Sequence, residues 1–327
     1  MTDQASERVV ADVHEVAADI ASMEIRGAAT IADGAADALA TQAESSSASD
    51  PEAFRAEMRA AARHLYETRP TAVSLPNALR YVLWDMDGDT VEGLRESIVE
   101  SARTFREDLA DAQDRLGRIG ANRLRDGDVV MTHCHSTDAL SCVKAALDQG
   151  KHIEAVVKET RPRKQGHITA EQLREWGVPV TLFVDNAARR YLDRVDHVLV
   201  GADSIAADGS VINKIGTSGL AVNARDRGVP IMVAAQTIKL HPGTLTGHTV
   251  EIENRDETEV LSDADRETIT GGNADDPDLV VENPAFDVTP PRYVDAIVTE
   301  RGQFPPESIV TLMRELFGTD VGEPWDE

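Results

Sequence analysis

Cysteine is nearly missing from the 327-residue chain, which has only Cys134 and Cys142. Two thiols can form one bridge at most, so a small scaffold held together by disulfides is excluded. Aromatic residues amount to only 4%. No apolar run reaches the roughly 18 residues that span a bilayer, so no membrane segment is expected. The N-terminal stretch MTDQASERVVADVHEVAADIA is acidic and lacks a signal-peptide core. Few cysteines, no span and no leader point to a cytoplasmic protein in a reducing compartment. Lysine is scarce in a patterned way. Of 33 basic residues six are lysines, all between Lys144 and Lys239. Against them stand 58 acidic residues, a formal balance of -25. That charge argues against binding nucleic acid through bulk attraction, so any phosphate contact must come from a local cluster. A surface rich in Asp and Glu and stripped of Lys suits a very salty cytoplasm. At 1 M salt the Debye length is about 3 Å, and self-repulsion is screened.

At about 150 residues per domain, the length implies two domains. Residues 1–125 read as helices. Val9, Val10, Val13, Val16, Ala17 and Ile20 form one amphipathic stripe, and a second helix is expected across Ile31 to Ala40. Ser45 to Asp50 is a polar loop. Asp50-Pro51 then opens a helix as N-cap and first residue, with Phe54, Met58, Ala61, Ala62 and Leu65 at helical spacing. A long polar helix is expected from Val91 to Leu116, broken near Gly117. From Asp128 short β-branched runs alternate with helical segments: Val129 to Thr132, Ile153 to Lys158, Val180 to Val184, His197 to Val200 and Ile231 to Ala235. Such alternation predicts a mainly parallel sheet with helices on both faces, an α/β domain over 126–327. Ligands of these sheets bind at the carboxyl ends of the strands. The stretch from Leu261 to Pro277 reads as surface loop, a terminal helix is expected at Glu307 to Phe317, and the tail Gly322 to Glu327 as frayed.

The chemistry-bearing candidates cluster behind those strands. Cys134, in THCHSTDAL, follows the first strand and precedes a helix, a place that lowers a thiol's pKa and favours the thiolate; the bland alternative is a buried, inert thiol. Cys142 lies inside the next helix and reads as core. His133 and His135 flank Cys134, but adjacent residues point to different sides of the chain and no second ligand pair is near, so no metal is expected. Asp203 follows the strand His197 to Val200 and faces the same crevice as Cys134. A thiol and a carboxylate together can shuttle protons between neighbouring atoms. Gly201 would allow a sharp turn or close approach. Asp185 with Asn186 is a weaker candidate of the same kind. Asn213 and Lys214 precede Ile215-Gly216-Thr217-Ser218-Gly219, an anion-binding turn by composition. KETRPRKQG, from Lys158 to Gly166, is the densest basic cluster, and Arg161 and Arg163 could fork around phosphate oxygens. Arg26 before Gly27 and Arg69 before Pro70 stand beside turns in the helical part.

These segments together resemble the superfamily of translation initiation factor 2B alpha, beta and delta subunits, which also holds methylthioribose-1-phosphate and archaeal ribose-1,5-bisphosphate isomerases. The resemblance rests on MEIRGAATIA (Met23 to Ala32), TRPTAVSLPNAL (Thr68 to Leu79), THCHS, ETRPRKQG, GADSIAADGSVINKIGT and NPAFDVTPPRYV, and spans nearly the whole chain. RPTAVSLPNA and the HITA after Gly166 resemble the bisphosphate branch, whose isomerases carry a cysteine and an aspartate matching Cys134 and Asp203. Ala29 stands where that branch more usually has glycine. The resemblance implies a helical domain followed by a Rossmann-like one, and an aldose-ketose isomerisation of ribose 1,5-bisphosphate without cofactor or metal. It implies Cys134 on the carbon side and Asp203 on the oxygen side. One phosphate falls to Arg26, Gly27, Ala28 and Arg69, the other phosphate or the sugar to Arg161, Asn213 and Lys214. It further implies a halophilic archaeal source, a place in AMP and nucleoside salvage, AMP as effector, and dimers or hexamers built from dimers. The rival readings are methylthioribose-1-phosphate isomerase, which needs an apolar slot in place of one phosphate site, and a regulatory translation-factor subunit, which has no need of Cys134.

Overall fold

A computed structural model describes residues 8–25, 27–84, 86–273, 276–318 and 322–326. The chain divides into two compact units. The first comprises Met1–Gln113, Gln236–His241 and Arg314–Glu327, and the second Asp114–Ala235 and Pro242–Met313. The division falls inside one long helix, Val91–Ala121.

Helices Ala11–Ala21, Ala28–Ser45, Pro51–Thr68 and Ser74–Trp84 build the first unit with the start of the long helix. Val13, Ala17 and Ile20 of the first stripe are buried, as are Phe54, Met58, Ala61, Ala62 and Leu65. Asp50 caps its helix as expected, its side chain accepting from the Ala53 N–H at 2.9 Å. Three segments far apart in sequence close this core. Asn77 Nδ2 donates to the carbonyls of Ile238 (2.8 Å) and Leu240 (2.7 Å), tying in the returning segment 236–241, which carries the short strand β8 named below. The tail is not frayed over its described residues 322–326. Trp325 is fully buried, its ring 5.2 Å from that of Tyr66 and 5.8 Å from the Arg80 guanidinium carbon. One large apolar ring outweighs the polar residues around it, which is why composition alone misread the segment.

The strands, in chain order, are β1 (Val129–Thr132), β2 (Glu154–Lys158), β3 (Val180–Phe183), β4 (His197–Val200), β5 (Ser204–Ala206), β6 (Val211–Lys214), β7 (Ile231–Ala234), β8 (Leu240–His241), β9 (Phe286–Thr289), β10 (Ala296–Thr299) and β11 (Gly302–Phe304). In the second unit the main sheet has the order β11-β10-β7-β4-β1-β2-β3. All neighbours are parallel except β11, which returns antiparallel from β10. Helices Thr137–Asp148, Gln165–Glu175 and Thr217–Arg227 connect the strands. This is the Rossmann-like α/β architecture expected. From β1 the chain steps outward to β2 and β3, then crosses back to β4 on the other side of β1. The strand order therefore reverses between β1 and β4, and a crevice opens there at the carboxyl ends.

Two local expectations are corrected. The long helix does not break at Gly117 but runs on to Ala121. Here glycine serves close packing: a Cβ on Gly117 would lie 2.8 Å from the Ser141 carbonyl oxygen, and one on Gly120 2.2 Å from Cys142 Sγ. Cys142 is accordingly a core residue, fully buried, its thiol donating to the Asp138 carbonyl at 3.4 Å. The stretch read as loop contains the helix Asp263–Ile269, capped by Ser262, whose hydroxyl accepts from the Asp265 N–H. Asn213 and Lys214 end β6, which pairs antiparallel with β5 and β9 and leads into the turn.

Candidate active site

Cys134 follows β1 and Asp203 follows β4, the two strands that flank the reversal. Their loops are pressed together. A Cβ on Gly201 would lie 2.2 Å from Ser136 Oγ, so only glycine lets the Asp203 loop approach the residue that caps the helix after Cys134. Asp203 is exposed, its N–H donating to the Ile212 carbonyl at 2.9 Å. Its charge acts on both the Cys134 thiol and the Lys214 ammonium.

Cys134 is half-buried, and its backbone is left-handed, φ +67°. That conformation is rare for a residue with a Cβ and is held only where the surroundings impose it. Both its peptide groups are gripped. Its N–H donates to Thr160 Oγ1 at 2.9 Å, and its carbonyl accepts from Thr169 Oγ1 at 2.8 Å. The neighbouring histidines are committed to the same scaffold. His133 Nε2 faces the Ile215 carbonyl at 2.8 Å, and His135 Nδ1 faces Thr169 Oγ1 at 3.1 Å. Burial, aided by the Lys158 charge, pushes the His133 pKa down to about 3, so its ring is neutral at pH 7.

The expectation of a low-pKa thiol is corrected. Burial pushes the Cys134 thiol up to about 11, and the Asp203 carboxylate acts in the same direction. The His135 N–H and the charges of Lys214 and Arg255 pull the other way without overcoming it. The helix that follows spends one of its first-turn donors on its own cap, Ser136 Oγ accepting from the Ala139 N–H at 3.2 Å. Lys214 is buried, and its own pKa is lowered, first by desolvation and then by Arg255. Both cations lie over Phe286, Lys214 Nζ 4.3 Å and Arg255 Cζ 6.0 Å from the ring centre.

The anion-binding turn is also corrected. Its donors are already spent on a carboxylate of the chain. Asp287 accepts from the Gly216 N–H at 2.7 Å and from the Ser218 N–H at 3.0 Å. Asn213 is buried, its Nδ2 donating to Thr217 Oγ1 at 3.0 Å. In the basic cluster, Arg163 is paired to Glu259, with its Nε 3.0 and 3.1 Å from the two carboxylate oxygens. Arg161 keeps an exposed side chain. It lines a cavity of about 270 Å³ with Lys158, Asp185, Asn186, Gly216 and Asn223. Asp185 spends its carboxylate on backbone: Oδ1 accepts from the Thr160 N–H at 2.9 Å and Oδ2 from the Arg161 N–H at 2.7 Å. Lys158 is buried beneath, donating to the Gly216 carbonyl at 3.1 Å.

In the first unit, Arg26 lies outside the described residues. Gly27, at φ +93°, is the N-cap of Ala28–Ser45 and Ala28 its first residue. Arg69 ends the helix Pro51–Thr68, its N–H donating to the Tyr66 carbonyl at 3.3 Å. Sequence reasoning missed Thr160, Thr169, Asp287 and Arg255. Thr160 sits inside a motif already singled out, where the arginines drew attention from it. Arg255 lies among acidic neighbours some 120 residues beyond Cys134 and carries no local signal. Among the described residues no group of three His, Cys, Asp or Glu is arranged to hold a metal ion, and no helix is long and apolar enough to cross a membrane.

With that geometry in view, four likenesses bear on what the site does. Residues 24–306 match the model of the initiation factor 2 subunit family. A Haloterrigena turkmenica protein named ribose 1,5-bisphosphate isomerase is 74% identical over 310 residues, covering 94% of each chain. A Haloferax volcanii protein of the same name is 72% identical over 321 residues, covering 98% of this chain and 97% of that one. The crystal structure of the Pyrococcus horikoshii translation initiation factor eIF-2B superposes with a TM-score of 0.75 at 28% identity, covering 92% of this chain and 99% of that one.

Proposed function

We infer from its place in the initiation factor 2 subunit family, to which this chain belongs, that it is an isomerase turning ribose 1,5-bisphosphate into ribulose 1,5-bisphosphate. The observation that carries the reading is the pair at the strand reversal. A thiol and a carboxylate leave neighbouring strand ends, with a buried lysine acting on both. A subunit with a purely regulatory role has no chemical use for that arrangement.

The substrate is a closed ring whose C1 carries phosphate, so no free aldehyde exists until the ring opens. The Cys134 thiolate takes the proton from C2. The freed electron pair becomes the C1–C2 double bond as the C1–O4 bond breaks, and the Asp203 carboxylic acid protonates O4. The resulting enol gives its O2 proton to the Asp203 carboxylate, while the Cys134 thiol returns its proton to C1. The carbonyl now stands at C2, and both groups end as they began. Between them they hold one proton. The Asp203 carboxylate raises the thiol's pKa, so moving the proton to Asp203 removes that opposition and leaves Lys214 and Arg255 to favour the thiolate. The route moves only protons and consumes no electrons.

Two phosphates need two anion sites. Arg26 with the Gly27 and Ala28 amides, and Arg69, hold one; the helix starting at Ala28 has no side-chain cap at Gly27 and presents its N-terminal end there. Arg161, Asn213 and Lys214 hold the other or orient the sugar. The enzyme acts in the cytoplasm in AMP salvage, responds to AMP, and assembles as a dimer or as a hexamer built from dimers.

The test is turnover of α-D-ribose 1,5-bisphosphate at molar potassium chloride, with and without AMP, for wild type, Cys134→Ser and Asp203→Asn. Product from wild type and its loss by at least a hundredfold in both folded variants is the expected result. A folded wild type that makes no ribulose 1,5-bisphosphate but turns over methylthioribose 1-phosphate overturns the assignment.

A further inference from the structure

Cys134 cannot hold its left-handed backbone alone, and the groups that hold it belong to three other strand ends. Thr160, itself left-handed at φ +63° and wholly buried, is the hub. Its hydroxyl oxygen accepts the Cys134 N–H. Its one hydrogen lies between His133 Nδ1 at 3.1 Å and the Lys158 carbonyl at 3.2 Å. The His133 tautomer is fixed by its other side. A carbonyl can only accept, so the nitrogen facing Ile215 carries the hydrogen, and Nδ1 of the neutral ring is left as acceptor for Thr160. Thr160 is in turn clamped from below, because its own N–H and that of Arg161 both go to the Asp185 carboxylate. The cluster is tightly connected: the Thr160 hydroxyl accepts from Cys134 and gives its hydrogen to one of two facing acceptors, while Asp185 fixes its backbone. Removing the Thr160 hydroxyl takes away the partner of the Cys134 N–H, at the residue least able to keep its conformation unaided.

We propose that Thr160, anchored by Asp185 and oriented by His133, is the positioning residue of this enzyme: it holds Cys134 in the left-handed turn that presents the thiol beside Asp203 and Lys214. Asp185 thereby has a use without touching the sugar, since both its oxygens are taken by backbone. The inference rests on the isomerase reading for its kinetic consequence, but not for its structural one.

The experiment uses Thr160→Val, which keeps the shape and deletes the hydroxyl, Thr160→Ser, which restores it, and Asp185→Asn as a second lesion. Each is assayed for isomerisation and for the rate at which iodoacetamide alkylates Cys134 as pH rises. Thr160→Val is expected to lower kcat at least a hundredfold with KM within about threefold. It should also speed Cys134 alkylation at pH 8 at least tenfold, because a relaxed Cys134 loses the burial that suppresses its thiolate. Thr160→Ser should restore both to within a few-fold of wild type, and Asp185→Asn should fall between them. A folded Thr160→Val with wild-type kcat and wild-type alkylation overturns the proposal, as does a Thr160→Ser as impaired as Thr160→Val. If Thr160→Val fails to fold, Thr160→Ser and Asp185→Asn decide by the same two readouts. The alkylation result stands whichever sugar phosphate the wild type accepts, so failure of the positioning role and failure of the substrate assignment are separable.

Discussion

Alkylation reads the thiolate of Cys134 directly, and the structure says how little of it there is. Burial raises this thiol from the ordinary 9.0 to about 11. Below its midpoint the thiolate population changes tenfold per pH unit, so at pH 8 it is about a hundredfold smaller than that of an unperturbed cysteine. Wild type is treated with iodoacetamide from pH 7 to 11, and the Cys134 peptide is followed by mass. The rate should still be climbing at pH 10. Cys142, pushed up to about 12 and sealed in the core, is the internal control that stays unlabelled. Two substitutions must move the curve in opposite directions. Asp203→Asn deletes a charge that raises the thiol's pKa and shifts the curve to lower pH. Lys214→Met deletes one that lowers it and shifts the curve to higher pH. The Asp203 effect should shrink between low salt and 1 M, because that residue is exposed, whereas the Lys214 effect should persist. A rate that levels off by pH 9, or two variants that shift the same way, refutes the burial argument and the proton-sharing pair built on it.

Trp325→Ala should cost about 3–5 kcal/mol and lower the thermal midpoint clearly in differential scanning calorimetry, although the residue lies in a tail of polar composition; an unchanged midpoint would contradict the packing against Tyr66 and Arg80. Gly120→Ala should destabilise by about 1–3 kcal/mol by driving a methyl into Cys142 Sγ, and Cys142→Ala in the same chain should recover much of the loss; urea denaturation of the single and double variants checks both. His133 stays neutral when folded down to about pH 3, while the unfolded chain takes up a proton near 6.5. Its folded pKa is thus depressed, and protonation favours unfolding. Between pH 6.5 and about 3 this histidine removes about 1.4 kcal/mol of stability per pH unit as pH falls. His133→Gln should flatten the dependence by that slope in denaturant titrations at pH 4 to 6, and an identical slope in both proteins would show that the ring is solvated.

The strands of the main sheet were readable because a parallel strand covered on both faces is a short β-branched run, and β1 and β4 begin and end where those runs do. The placement of Cys134 and Asp203 followed from the same runs, since a residue just past a strand has only one end of the sheet to occupy. The electrostatics of Cys134 did not follow. Sequence shows that a helix comes next, but not that Ser136 caps it or that the thiol is desolvated. The turn after Lys214 misled for a related reason. Its glycines and hydroxyls do make an anion cradle, and the anion is Asp287, some 70 residues away and brought there by the pairing of β6 with β9. Gly117 misled because the same residue can end a helix or let two helices touch, and only the facing surface, Ser141, decides between them.

The first unit is assembled from three stretches, and its core takes Ile238 from one and Trp325 from another. On a ribosome the opening helices emerge long before the residues that finish their packing. Until Trp325 is made, the pocket for its ring stands open and apolar, and until residues 238–240 are made, Asn77 waits for the carbonyls of Ile238 and Leu240. The helical unit is therefore completed after the sheet unit's strands have all been synthesised, although it comes first in sequence. A chain that stops before Trp325 would display an unfilled core, which marks it for removal before it can compete with copies that carry the ring.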